Sequence, residues 1–455
     1  MKAVYVSRPD GATRLILFFA GWAMDSRPWQ RLEFGGYDIA VVSDYRDSRL
    51  PLDLAAYDEI VVIAWSFGVV GAEQWLAEEG SKHPVTATIA VNGTPEAVDD
   101  RLGIPSALFE ATLASLTPAS LAKFYRRVAG KRLPLIADAM PEREFDTLAD
   151  ELRAVYASRG RRGVSWDKAI VSTADRIIPA ANQIASWSAT PTEIIIEADA
   201  DHLPDLATLL ARHLAAKTLV ASRFGRAAES YDEAAVAQRI IAARAAGLPD
   251  EALTGDAIEI GCGSGLSTRL LLARCSSLRL RAVDLCAVDT CIEGVEVEQA
   301  DAELLMKRLP ASSLNLVYSV SAIQWFNSLP AFLREARRVL RPGGRLVATT
   351  FGPETMRELR DSLPRQRHYP TADTIHRRLE AEGWADVEVT PDIVTLTFAT
   401  ARDVAAHMRA TGVNALSASN PVGSLRHMLA HYPLAPDGSA PLTYQPIYIT
   451  ATKPL

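Results

Sequence analysis

The sequence has no apolar run approaching the roughly 20 residues needed to cross a bilayer, so a helical membrane span is not expected. Its opening, MKAVYVSRPDG, lacks the hydrophobic segment of a signal peptide, because Arg8, Pro9 and Asp10 interrupt it at once. Cysteine is scarce. The four present, Cys262, Cys275, Cys286 and Cys291, all lie in the C-terminal half. Their spacings match no zinc pattern, and so long a chain needs no disulfide framework. Free thiols in a reducing cytoplasm and no metal site are therefore expected. There is no basic excess either: 48 Lys and Arg face 55 Asp and Glu, a net charge of −7. That balance argues against general nucleic-acid binding. Low-complexity tracts and short-period repeats are also missing.

What is present is alternation. The 455 residues suit two domains of about 200 residues each. Strand and helix signals alternate throughout, which favours α/β architecture with parallel sheets. In the first half the apolar, β-branched runs are LILFF (15–19), IAVVSDY (39–45), EIVVIAW (59–65), ATIAV (87–91) and EIIIE (193–197). Residues 104–168 break the pattern and read as helical, as a lid inserted between late strands would. We place the domain boundary at 218/219, the lid at about 104–170, and a second alternation from the helix EAAVAQRIIAARAA (233–246) onward. Its strand candidates are AIEI (257–260), LRLRAV (278–283), LNLVYSV (314–320) and RLVATTF (345–351), with two late ones at 386–398 and 442–451.

The run Ile60–Ala64 ends in Trp65-Ser66-Phe67-Gly68, with helix-like sequence behind it. Strand, sharp turn, helix is the setting of a nucleophile elbow, here with Ala64 in place of the first glycine of G-x-S-x-G. A serine nucleophile needs a base, and the base needs an orienting carboxylate. In α/β-hydrolases the chain order is Ser, acid, His. Asp175 in STADRIIPAANQ and His202 in EADADHLPD each follow a strand candidate in that order. The backbone N–H groups of Trp22, in the turn after LILFF, and of Phe67 are the candidate oxyanion donors. Asp199 and Asp201 read as loop-shaping residues.

On FFAGWAMD, VVIAWSFGV, AVNGTPEAVDD, STADRIIPAANQ and ADADHLP, residues 14–218 resemble the BioG-type pimeloyl-[acyl-carrier protein] methyl ester esterases of biotin synthesis. The resemblance implies hydrolysis of a carrier-bound pimeloyl methyl ester with Ser66, His202 and Asp175 as the triad. Carrier proteins are acidic, and residues 104–170 hold 11 Lys and Arg against eight Asp and Glu. Arg126 and Arg127, with Lys131 and Arg132, are therefore expected to guide the carrier.

In the second half, Ala257-Ile-Glu259-Ile-Gly261-Cys-Gly263-Ser-Gly265 is a strand running into a glycine loop and then a helix. Glycines let the backbone pass close to a ligand. A dinucleotide fold uses a similar loop, but nothing in this half supplies hydride chemistry. The form G-x-G-x-G with Glu259 ahead of it resembles class I (Rossmann-like) S-adenosylmethionine-dependent methyltransferases. That resemblance implies Glu259 near the methionyl ammonium through water, Asp284 on the ribose hydroxyls and Asp301 near the adenine amino group.

The stretches FGRAAESYD, SAIQWF, TTFGPETMRELRDSL (349–363) and ATGVNAL (410–416) make residues 219–455 similar to the BioC-type malonyl-[acyl-carrier protein] O-methyltransferases. The malonyl carboxylate is already ionised near neutral pH, so alignment is needed and a base is not. Tyr231 and Arg226 are the candidates to hold it. Together the resemblances imply a bifunctional biotin-synthesis enzyme acting on acyl carrier protein. The residues alone leave two other readings open. One is a serine esterase joined to a methyltransferase of small carboxylic acids; the other is a carrier-binding scaffold with one inactive domain.

Overall fold

The computed structural model describes residues 1–249, 253–288, 290, 292–360, 367–412 and 422–455. Cys291 and parts of two motifs, 361–363 and 413–416, lie outside them. The chain divides into two compact units, Met1–Leu209 and Leu210–Leu455. The division precedes the 218/219 boundary expected from sequence. Residues just after 209 are tied to the second unit instead: Ala215 N–H donates to Asn327 Oδ1 at 2.8 Å, and Lys217 Nζ to Glu303 Oε2 at 2.6 Å.

The first unit is built on a seven-stranded sheet. In chain order its strands are β1 (Lys2–Ser7), β2 (Arg14–Phe19), β3 (Tyr37–Ser43), β4 (Glu59–Trp65), β5 (Val85–Val91), β6 (Lys168–Ser172) and β7 (Glu193–Glu197). Their spatial order is β1-β3-β2-β4-β5-β6-β7. β1 pairs antiparallel with β3, and the other pairs are parallel. β2, β3 and β4 are continuous apolar runs because helices cover both faces of a parallel sheet, and nearly every residue in them is buried. Helix α1 (Gly68–Glu78) follows β4. Helices α2 (Ser106–Ala114), α3 (Pro118–Ala129) and α4 (Phe145–Ser158) form the insert between β5 and β6, and α5 (Ala180–Ser188) follows β6. The insert ends before Lys168, which already begins β6. Thr117 caps α3 reciprocally with Ser120, and Pro118 at the first helical position fits that start.

Helix α6 (Leu206–His213) carries the division between the units. Next come α7 (Lys217–Ala234) and α8 (Val236–Ala246). The stretch 233–246, expected as one helix, is broken at Ala235 (φ −77°, ψ 48°). The second sheet runs β10-β9-β8-β11-β12-β16-β13. These strands are β8 (Gly255–Ile260), β9 (Leu278–Asp284), β10 (Glu296–Gln299), β11 (Leu314–Ser319), β12 (Leu340–Phe351), β13 (Ala385–Pro391) and β16 (Pro446–Thr452). β8 to β12 pair in parallel, while β16 is antiparallel to both neighbours. Each late apolar run yields two strands. β14 (Val394–Phe398) and β15 (Ala440–Tyr444) leave the main sheet and pair with each other. Helices α9 (Leu266–Arg274), α10 (Ala302–Arg308), α11 (Leu329–Val339), α12 (Ala372–Ala381), α13 (Ala401–Ala410) and α14 (Val422–His431) complete the unit. Two apolar clusters pack against the sheet, one around Ile241, Leu271 and Tyr318, the other around Ile258, Leu333 and Ile449.

Candidate active sites

Ser66 sits where β4, the middle strand of the first sheet, turns into α1. Its φ is +57°, a region that costs a non-glycine residue free energy and is held only where the surroundings insist on it. The turn is tight because the helix starts against the neighbouring strand. A Cβ on Gly68 would lie 2.2 Å from the carbonyl oxygen of Phe19, which accounts for the glycine after Ser66.

Two loops from other strand ends converge on this serine. His202 Nε2 lies 2.9 Å from Ser66 Oγ, and His202 Nδ1 lies 2.8 Å from Asp175 Oδ2. The structure thus brings Ser66, His202 and Asp175 into one hydrogen-bonded chain, with the imidazole and the carboxylate almost wholly buried. Asp175 is itself held. Its Oδ1 accepts from the N–H groups of Ile177 and Ile178 at 2.7 and 3.0 Å, and Oδ2 also accepts from Gln183 Nε2 at 2.9 Å. The carbonyl of His202 accepts from Trp65 Nε1 and Asn92 Nδ2, both at 2.8 Å. Sequence reasoning missed Gln183 and gave Asn92 no role, although Asn92 lies in AVNGTPEAVDD, one of the stretches that carry the resemblance.

The N–H groups of Trp22 and Phe67 make no hydrogen bond among the described residues, and both residues are buried. The Trp22 indole donates to the Leu148 carbonyl at 3.0 Å. The insert also grips both flanks of the site. Tyr125 hydroxyl donates to the Ala23 carbonyl at 2.8 Å and Glu142 N–H to Asp25 Oδ2 at 2.7 Å. On the other flank, Leu203 N–H donates to the Val128 carbonyl at 3.0 Å and Lys131 N–H to Asp201 Oδ2 at 2.7 Å. Arg126 and Arg127 are exposed on α3. Arg132 is not available in the same way, since its guanidinium donates to the Leu203 carbonyl at 2.7 Å.

In the second unit the glycine loop leaves β8 next to the point where strand order reverses, the place where open parallel sheets bind ligands. Gly261, Gly263 and Gly265 all have positive φ. A Cβ on Gly261 would lie 2.2 Å from that of Ala322, whereas one on Gly263 would meet nothing within 4 Å. That open space belongs to a cavity of about 360 Å³, whose walls include Gly261, Gly263, Tyr231, Asp284, Asp301 and Trp325. Its size suits a small organic ligand or cofactor.

Asp284 accepts from Gly263 N–H at 2.9 Å and from Cys286 N–H at 2.8 Å. Burial pushes its carboxyl up, and each oxygen keeps a lone pair for a hydroxyl donor. Asp301 caps α10 and is paired with Lys217 Nζ at 3.1 Å, a buried lysine that sequence reasoning did not single out. Glu259 is fully buried behind the loop. Its Oε1 accepts from Ser267 Oγ at 2.5 Å, while Oε2 has no partner. Burial pushes it up to about 7. Tyr231 is on the cavity wall, its phenol pushed up to about 12 by burial. Arg226 is exposed, is not on that wall, and donates to Ser222 Oγ at 2.7 Å. Among the described residues, Cys262, Cys275 and Cys286 are not in disulfides. No described helix is long and apolar enough to cross a membrane.

An open glycine loop, acids at successive strand ends and an unpartnered buried carboxylate oxygen together fit S-adenosylmethionine, with its ribose hydroxyls and its ammonium. The comparisons with known proteins bear on both units. The family described as "Pimeloyl-ACP methyl esterase BioG" matches residues 1–210, and "Methyltransferase domain" matches 258–348. The chain is 34% identical to "Malonyl-[acyl-carrier protein] O-methyltransferase" of Bacteroides fragilis, over 96% of this chain and 92% of that one. The protein of the same description from Halorhodospira halophila is 35% identical over 50% of this chain and 84% of its own length. The crystal structure of BioG from Haemophilus influenzae aligns at 33% identity with a TM-score of 0.39, covering 44% of this chain and 94% of that one. With nearly its whole length matched, the chain belongs to the malonyl-[acyl-carrier protein] O-methyltransferase family, as a methyltransferase that uses S-adenosylmethionine and carries a BioG unit at its N-terminus.

Proposed function

We propose that the chain is a bifunctional enzyme of biotin synthesis. In this reading the second unit methylates the free carboxylate of malonyl-acyl carrier protein, and the first hydrolyses the methyl ester of pimeloyl-acyl carrier protein. The observation that carries the esterase half is the hydrogen-bonded chain from Ser66 through His202 to Asp175. In this reading the first unit is an α/β-hydrolase, with the helical insert between β5 and β6 as its lid.

His202 Nε2 takes the Ser66 hydroxyl proton as Oγ attacks the ester carbonyl, and Asp175 holds the imidazole in the required tautomer. The N–H groups of Trp22 and Phe67 receive the oxyanion. The proton on His202 then passes to the departing methoxide, giving methanol and an acyl-serine. Water, deprotonated by His202, attacks that acyl group; Ser66 Oγ then departs with the proton from His202, and the carboxylic acid released loses its remaining proton to solvent.

In the second unit, bound S-adenosylmethionine supplies an electrophilic methyl group. Gly263 opens onto the cavity and would give it room; Glu259 would act on its ammonium through water, Asp284 would take its ribose hydroxyls and Asp301 would lie toward its adenine. The malonyl carboxylate is ionised near neutral pH and needs no base, so the protein's work is alignment. Tyr231, on the cavity wall, orients that carboxylate. Masking it spares the elongation enzymes from burying a charged chain end, which is costly, and the esterase later unmasks it.

Mass spectrometry of acyl carrier protein tests both halves at once. Malonyl-carrier with S-adenosylmethionine should gain one methyl group, and pimeloyl-carrier methyl ester should lose one. Methylation of free malonate but not of its carrier-bound form would overturn the carrier assignment. A pimeloyl ester left intact would overturn the esterase assignment.

A further inference from the structure

Helix α7 begins with a lysine that hardly meets solvent. The Lys217 side chain is 3% exposed, and Lys217 stands on the wall of the cofactor cavity together with Asp301 and Phe326. Its Nζ donates to both carboxylate oxygens of Asp301, at 3.1 Å to Oδ1 and 3.2 Å to Oδ2, and to Glu303 Oε2 at 2.6 Å. Nζ also lies 5.2 Å from the centroid of the Phe326 ring. Glu303 is engaged from another side, where it accepts from the N–H groups of Asn327 and Ser328. One cation thus ties the start of α7 to the two acids at the start of α10.

Stability is a weak reason to bury such a group. Desolvation offsets much of the attraction in a buried ion pair, and apolar replacements are often as stable. What the lysine does for Asp301 is more specific. Two carboxylates sharing a buried site repel each other, and one of them tends to keep its proton unless a cation lies between them. Lys217 is that cation. By holding both oxygens of Asp301 it fixes the plane of the carboxylate as well as its charge, while Glu303 N–H, donating to Oδ1 at 3.1 Å, fixes it against α10. A carboxylate is an acceptor at both oxygens only when ionised, and its plane decides where those oxygens point. We infer that Lys217 is a positioning residue of the cofactor site, which keeps Asp301 as an oriented acceptor for the 6-amino group of the adenine. This rests on the reading above that Asp301 lies toward the adenine.

The test is calorimetric titration of the full-length chain with two ligands, S-adenosylhomocysteine and its 6-deamino counterpart, in which a hydrogen replaces the amino group. A hydrogen bond to a charged acceptor should make the wild-type chain prefer the amino form by about tenfold or more. Asp301→Ala should remove most of that preference. Lys217→Met should do the same with Asp301 still in place, leaving about threefold or less, and adding it to Asp301→Ala should change the preference no further. If Lys217→Met fails to fold, Lys217→Gln, which keeps N–H donors without the charge, carries the same test. A full preference in Asp301→Ala would bring down the adenine reading on which the inference stands. A full preference in Lys217→Met beside a loss in Asp301→Ala would overturn the inference alone, since both ligands weakened alike would mean that the lysine only supports the fold. A remainder left by Asp301→Ala and removed by adding Lys217→Met would mean direct contact between lysine and adenine, and would overturn the positioning role.

Discussion

Replacing Arg143 with Met probes how firmly the insert of the first unit holds the Ser66 site. The Arg143 side chain is 5% exposed and that of Glu151 0%, with Nη2 to Oε2 at 2.8 Å. Arg143 Nη1 also donates to the Met24 carbonyl at 2.9 Å, in the turn that carries Trp22. Glu151 Oε1 accepts from Tyr45 N–H at 3.2 Å, and Tyr45 hydroxyl donates to the Ala20 carbonyl at 2.6 Å. Removing the cation strands a buried carboxylate, which typically costs about 3–5 kcal/mol, and the lost bond to Met24 adds about 1 kcal/mol. Against a usual domain stability of about 5–15 kcal/mol, that brings the first unit near unfolding. Arg143→Met/Glu151→Leu should recover most of the loss, because apolar replacement of a buried pair is often close to neutral. Urea titration followed by tryptophan fluorescence reads mainly this unit, since Trp325 and Trp384 are the only two of eight tryptophans outside it. Burial already pushes Glu151 up, and Arg143 opposes that shift. Without Arg143, the folded state binds the Glu151 proton more tightly than the unfolded chain does. The deficit should therefore be largest above the folded pKa and shrink on acidification toward the ordinary carboxylate range. A double variant no more stable than the single one, or a deficit that grows with acidification, would refute this reasoning.

Ser66→Ala should abolish ester hydrolysis, a loss of about 10⁴-fold or more, while methyl transfer stays near wild type; His202→Ala should match it, because the three groups act as a unit. Asp284→Ala should weaken S-adenosylmethionine binding by about tenfold or more in calorimetry through lost ribose hydrogen bonds, with ester hydrolysis unchanged. Gly263→Val should be more severe, because its φ of +52° disfavours a β-branched residue and its side chain would point into the open cavity. Reversing Arg126 and Arg127 to Glu should lower kcat/KM several-fold for the carrier-bound ester at low salt and spare p-nitrophenyl acetate, since steering acts on association and is screened by ions. Equal losses on both substrates would mean the pair supports the fold of the insert.

The chain announces its chemistry in short stretches and conceals what holds that chemistry in place. WSFG, the acid after β6 and the histidine after β7 could be found because each is a strand end, and strand ends follow from apolar runs that any reader of the sequence can mark. The glycine loop was legible for the same reason. β1 was not seen, because KAVYVS is a half-exposed edge strand whose Val4 is 50% exposed, so it carries little of the buried-strand signal. The two late runs gave four strands because a polar or proline break inside each lets the second piece pair elsewhere. The supporting polar residues were illegible for a different reason: their partners are far away in sequence. Asn92 meets His202 across 110 positions and Lys217 meets Asp301 across 84, and no local periodicity encodes such a pairing. Arg143 shows the consequence most clearly. Counted in sequence, it was one of 11 basic residues on a surface meant for an acidic carrier; folded, it is 5% exposed and bound to Glu151. Charge counting treats every arginine of the insert alike, whereas burial removes Arg143 from the carrier-facing charge and Arg132 gives its guanidinium to Leu203. Arg126 and Arg127 stay exposed on α3 together with Lys123, on the same helix whose end holds the His202 loop through Val128.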